Sequence, residues 1–204
     1  MTERTITTDA VSRCEAVPDL ATVEALAIGE GESASDARAI AKDRASTLRE
    51  SITDVSTDQI RTVDLQVQDT DEMFDPVTDA PFQASERLHI DCLPENAESV
   101  VVDVTNAGGQ IQTVQFQLHE DKRRELQNKA ITSAMERARE KAKQMAAAEG
   151  LAVAEIQEAM TKEVSTGFES IVDEALASSP ETDLYPAPIT VSEGVEVVYE
   201  LSEE

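Results

Sequence analysis

The side chains able to do chemistry are few and scattered. Two histidines, His89 and His119, stand in a chain of 204 residues, and neither has a cysteine or a second histidine at metal-ligand spacing. Both read as ordinary strand or loop residues. Cys14 and Cys92 lie far apart, each inside a predicted strand and without a thiol or imidazole partner nearby. The pattern predicts two buried free thiols, since a disulfide between them would need neighbouring strands and an oxidising compartment. No serine occupies a Gly-x-Ser-x-Gly elbow, and no Gly-x-x-x-x-Gly-Lys run is present to cradle a phosphate. Gly29-Glu30-Gly31 falls between a strand and a helix, but the third glycine of a dinucleotide fingerprint is missing. That step reads as a strand-to-helix turn using the permissive backbone of glycine. Paired carboxylates nominate nothing in a chain with 42 acids, because chance proximity swamps any such signal. The expectation is therefore a protein that is not an enzyme, with no catalytic, cofactor-binding or metal-ligating residue and no cofactor.

One basic concentration stands out, at Lys122, Arg123, Arg124, Arg137, Arg139, Lys141 and Lys143. Its plainer reading is pairing along one helix with Glu120, Glu125, Glu136 and Glu140. Its sharper reading is a surface for an acidic partner or a neighbouring subunit. Elsewhere acids dominate: 42 Asp and Glu against 17 Lys and Arg leave a net charge of −25. Such a surface repels nucleic acid and anionic membrane alike, so neither is expected as a partner. The acids are spread through periodic apolar segments rather than gathered in a tail, which marks a solvated surface and not disorder. Arg outnumbers Lys, 11 to 6. Self-repulsion on this scale is tolerated where the Debye length falls to about 3 Å, near 1 M salt, so a salt-accumulating host is expected.

The elements that must carry these residues follow from periodicity. An apolar fraction of 40% suffices for a core, yet with four Phe, two Tyr and no Trp that core must be built from Val, Ile, Leu and Ala. Thr5 to Ala16 is β-prone, Val17-Pro18-Asp19 supplies turn chemistry and Leu20 to Ile28 resumes a strand, which together suggest a hairpin. Ser33, with Asp36 three residues on, gives a capping-box-like start to a helix whose stripe is Ile40, Ala41, Ala45, Leu48 and Ile52. Val63, Leu65 and Val67 then alternate with polar residues, the mark of a strand with one wet face. Residues 69–81 form a loop at the tip of a second hairpin. In the strand that follows, Phe82, Ala84, Leu88, Ile90 and Cys92 share one face, with Gln83, Ser85, Arg87, His89 and Asp91 on the other.

Pro94 opens a segment in which Ala97, Val100, Val101 and Val104 keep helical spacing, against the β-preference of its valines, before Gly108-Gly109 closes it. Val114, Phe116 and Leu118 alternate into the longest helix, 120–149, whose stripe is Leu126, Ala130, Ala134, Ala138, Ala142 and Ala146. Gly150 is placed to end it in a left-handed conformation. A strand over 153–164, a loop or partly disordered stretch over 165–188, and a final strand with Val195, Val197, Tyr199 and Leu201 on one face complete the chain. The predicted class is α+β: about seven mainly antiparallel strands with three helices, the longest preceding the C-terminal strands. No basic stretch followed by an apolar run opens the sequence and no apolar stretch approaches the roughly 20 residues of a membrane span, so a cytoplasmic protein without membrane insertion is expected.

This arrangement resembles the SIMPL (DUF541) family. The resemblance is carried by Val17-Pro18-Asp19-Leu20-Ala21-Thr22-Val23, by the Ile60-x-Thr62-x-Asp64-Leu65 strand and by the Phe82-x-Ala84 opener. The Ala130-x-x-x-Ala134 to Ala146-x-x-x-Gly150 helix and the late Pro188-Ile189 step with Gly194 add to it. It covers about Val11 to Leu201 and favours one SIMPL-like domain over 1–204, of a haloarchaeal type. The sequence departs in its acidity, in lacking a signal peptide and in having Ser192-Glu193-Gly194 where Pro-Gly is usual. The resemblance implies an α+β domain that self-associates, with relatives forming ring-like assemblies and serving in stress responses or as signalling adaptors. It brings no catalytic residues with it. A non-enzymatic homo-oligomer or adaptor is the leading expectation. The competing class is a small-molecule binding module, with or without hydrolytic activity, which would need an apolar pocket with convergent polar groups.

Overall fold

The computed structural model of the chain describes residues 4–70, 78–162 and 186–203. Its strands are β1 (Thr5–Ala16), β2 (Leu20–Gly31), β3 (Ile60–Asp69), β4 (Phe82–Cys92), β5 (Gln110–Gln117), β6 (Leu151–Lys162) and β7 (Ile189–Glu203). Its α-helices are α1 (Ala34–Ser51), α2 (Ala97–Asn106) and α3 (Glu120–Ala148). The fold is α+β, with seven strands in two antiparallel sheets. Two compact units emerge, one built from β1, α3, β6 and β7, the other from the run β2 to β5 with α1 and α2.

In the first unit the strand order is β1-β7-β6, and the alanine stripe explains how α3 lies on it. Ala130, Ala134, Ala138 and Ala142 are fully buried, and a face of single methyl groups lets a helix approach a sheet more closely than larger side chains would. Thr8 on β1 donates a hydrogen bond to the Ala138 carbonyl at 3.0 Å. Val195, Val197 and Tyr199 fill the space opposite. Gly150, at φ +69°, ends the helix in the left-handed region as its position predicts.

The second unit orders its strands β3-β4-β2-β5. Its core joins Ala21, Val23 and Ala25 of β2 to Leu88 and Ile90 of β4, Leu48 of α1, and Val100 and Val104 of α2. The α2 segment is helical despite its valines, because Val100 and Val104 lie one turn apart on the face buried in this core. Ser33 caps α1 by accepting from the Asp36 amide at 3.2 Å. Consecutive β3 and β4 pair antiparallel, and beyond them Thr70 donates through its amide to Pro81 at 3.0 Å, as a hairpin requires.

Several local expectations are corrected. Val17-Pro18-Asp19 is no hairpin turn, since β1 pairs with β7 and β2 with β4 and β5. Ile40 is 39% exposed and Ala37 takes its place in the buried stripe of α1. On β3 Val63, Leu65 and Val67 are 52%, 39% and 40% exposed, because β3 is an edge strand whose register shifts at Val63. Gly29 and Gly31 are not needed for a left-handed backbone. A methyl at Gly29 would meet the Ala37 carbonyl at 2.2 Å, so glycine is there to admit α1 against β2. The loop expected over 165–188 lies, through residue 185, outside the described residues.

Candidate functional site

Two arrangements have the makings of a site. In the first unit, a groove of about 320 Å³ runs between α3 and β6, lined by Ile131, Thr132, Met135, Glu136, Arg139, Ile156 and Tyr199. Helical spacing places 131, 135 and 139 on one flank of α3, beside the buried alanine stripe. From the sheet, Ile156 pairs in register with Tyr199, so both side chains point to the helix-covered side. Ile156 is nonetheless 48% exposed, because α3 runs chiefly over β1 and β7 and leaves β6 thinly covered.

Tyr199 forms the inner wall. It is 1% exposed, and its hydroxyl is buried with no hydrogen-bond partner among the described residues. A buried phenol normally finds a partner, and leaving one without costs roughly 1–3 kcal/mol. Burial raises the phenol above its ordinary pKa of 10, while the nearby Arg139 guanidinium works in the opposite direction. The hydroxyl thus stays neutral and available as a donor. The groove therefore offers an apolar floor, a guanidinium and one hydroxyl unsatisfied among the described residues.

The second arrangement lies on the face of the four-stranded sheet turned away from the core of its own unit. Strand registers align Arg61, His89, Glu24 and Thr113 in one row across β3, β4, β2 and β5. His89 Nε2 stands 3.1 Å from Asp91 and Nδ1 stands 3.9 Å from Glu24. Asp91 also accepts from Thr22 at 3.0 Å and pairs with Arg61. With three partners this carboxylate is committed to tying strands together rather than poised as a base. His89 is brought among acids, and Asp91 two residues on was visible as a same-face neighbour in sequence, whereas Glu24 was not. His119 sits at the N-terminal boundary of α3. No group of three or more His, Cys, Asp or Glu among the described residues is arranged to hold a metal ion.

The basic concentration follows the helix-pairing reading only in part. Arg124 pairs with Glu120 at 3.3 Å and Lys129 with Glu125 at 2.6 Å, both i to i+4 on the helix surface. Arg137 and Lys141 instead reach the edge of β1, donating to the Val11 carbonyl at 3.1 Å and to Asp9 at 3.1 Å. The Lys141 ammonium holds the exposed Asp9 carboxyl below its ordinary pKa, first by hydrogen bonding and then by charge. Arg139 faces the groove. Cys14 and Cys92 are free thiols on strands of different sheets, and of the two expected to be buried only Cys92 is, Cys14 being half-buried. Sequence reasoning missed the groove: Tyr199 was legible as a core residue, and only the need of a buried phenol for a partner could have marked it out.

Among known families, the model of SIMPL, described as a protein of unknown function (DUF541), matches residues 6–199. No curated protein matches the chain. No helix among the described residues is long and apolar enough to cross a membrane.

Proposed function

The chain belongs to the SIMPL family, whose function is unknown and whose model spans nearly all of it, and from that premise we propose a non-enzymatic, self-associating protein with an adaptor or stress-related role. The observation that carries this reading is the pair of edge strands on the three-stranded sheet, of which β1 is met at its Val11 and Asp9 carbonyls by Arg137 and Lys141. β1 and β6 are twelve residues each and pair, among the described residues, only with β7. Edge strands of that length present rows of main-chain donors and acceptors that a second chain can satisfy. The outer face of the same sheet adds Val11 and Met160, 42% and 47% exposed. Asp9, Glu196 and Lys162 flank these apolar residues, with Lys162 and Glu196 paired at 2.5 Å.

A net charge of −25 opposes association in dilute buffer, and molar salt removes that opposition by screening. The same charge supports a salt-accumulating, haloarchaeal-type host and a cytoplasmic location. Light scattering in molar KCl tests the reading: a mass several times the 22.1 kDa of one chain is expected. A single-chain mass across micromolar concentrations would overturn it.

A further inference from the structure

We propose that the groove between α3 and β6 binds a small amphipathic monocarboxylate, its hydrocarbon part on Ile131, Met135 and Ile156 and its carboxylate held by Arg139 and the Tyr199 hydroxyl. This goes beyond self-association, which uses strand edges and the outer sheet face, whereas the groove opens on the helix-covered side.

Three observations lead to that chemistry. The floor is apolar, and Ile156 keeps 48% of its surface exposed although it faces the same way as buried Tyr199. That is apolar area awaiting cover. Tyr199 supplies a buried hydroxyl lacking a partner among the described residues, and Arg139 on the same groove carries donors and no acceptor. An occupant satisfying both must bring an acceptor, and a carboxylate oxygen serves a guanidinium and a hydroxyl together. Glu136 lines the groove one turn before Arg139, so a second negative charge or a headgroup at that end is repelled, which restricts the ligand to one carboxylate at the Arg139 end. At about 320 Å³ the groove is near the lower limit for ligand pockets, which limits the ligand to a short hydrocarbon part. The hydroxyl is closed to solvent, so admitting the carboxylate takes a rearrangement of the lining side chains, of which Met135 and Arg139 are the most adaptable. Both are long unbranched side chains with several low-energy rotamers.

The experiment is calorimetric titration of the full chain with octanoate in molar KCl, alongside octanol and octyltrimethylammonium. Saturable one-to-one binding of octanoate is expected, with the other two at least about tenfold weaker, the difference a charge-assisted hydrogen bond makes. Tyr199→Phe and Arg139→Gln are each expected to weaken octanoate about tenfold, and Lys42→Gln, on the other unit, to leave it unchanged. Circular dichroism checks each fold. Should Tyr199→Phe fail to fold, the exposed Arg139→Gln variant carries the test. Absence of saturable binding, equal binding of octanol, or unchanged affinity in Arg139→Gln would overturn the proposal. The outcome is independent of the mass measured by light scattering.

Discussion

At the scale of single residues, the most telling groups are polar atoms placed where water does not reach. Glu86 is only 7% exposed on the helix-facing side of β4. It accepts from Arg49 at 2.8 Å and from Thr62 at 2.6 Å, so its charge is compensated in place. Cys92 is the contrasting case, a thiol in the apolar core beside Asp91. Burial first, and the Asp91 charge second, push it from an ordinary 9.0 up to about 11. Because the folded value is raised, the neutral thiol favours folding. That contribution is complete below pH 9.0 and is lost as pH rises through about 11. With a pKa of about 11, roughly one molecule in a thousand carries the thiolate at pH 8. Iodoacetamide at pH 8 should therefore label Cys14 in the native chain and Cys92 only after denaturation. Peptide mapping checks this, and equal labelling of both would place Cys92 outside the core.

Among elements, α3 is the most constrained. Its contact with the sheet is made by alanines with no exposed surface, so any larger side chain must displace the helix or the strands. Ala138→Leu is expected to destabilise by about 1–3 kcal/mol through overpacking, and to threaten the hydrogen bond that Thr8 gives to the Ala138 carbonyl. Urea denaturation measures it, and an unchanged midpoint would contradict this packing. The stripe was legible in the sequence because a four-residue repeat of alanine maps directly onto one helical face. So were β4 and β7, where alternation is strict, and α2, where burial of Val100 and Val104 overrides propensity. The β1–β2 hairpin was not legible as false, since Pro18 and Asp19 suit a tight turn whether or not the flanking strands pair. Nor was the exposure of Val63, Leu65 and Val67, because alternation reports a strand's two faces and not whether anything covers them. The groove escaped for a related reason: it arises where α3 stops covering β6, a matter of relative placement that no local spacing records.

For the whole molecule, charge dominates. Forty-two acids against 17 bases leave most carboxylates without a cation, and the exposed pairs that do form, such as Arg124 with Glu120, contribute little each. Compaction concentrates that charge, and salt screens it. The melting temperature, followed by circular dichroism, is expected to rise steeply between dilute buffer and molar KCl. Equal or greater stability in dilute buffer would remove the case for a salt-accumulating host.

The order of pairing in the three-stranded sheet also has a kinetic side. Thr5 of β1 lies opposite Glu200 of β7, so this ladder joins segments far apart in the sequence, whereas β2 to β5 with their helices form one contiguous run. Closing so long a loop carries a larger entropic cost than closing the short ones between neighbouring strands, and distant pairings slow folding. The contiguous unit should therefore gain protection from hydrogen exchange first, and the β1–β7 ladder last. Pulse-labelling during refolding reads this order directly: amides of β2 and β4 protected before those of β1. On a ribosome the same logic leaves β1 waiting, its edge unpaired, until β7 has emerged.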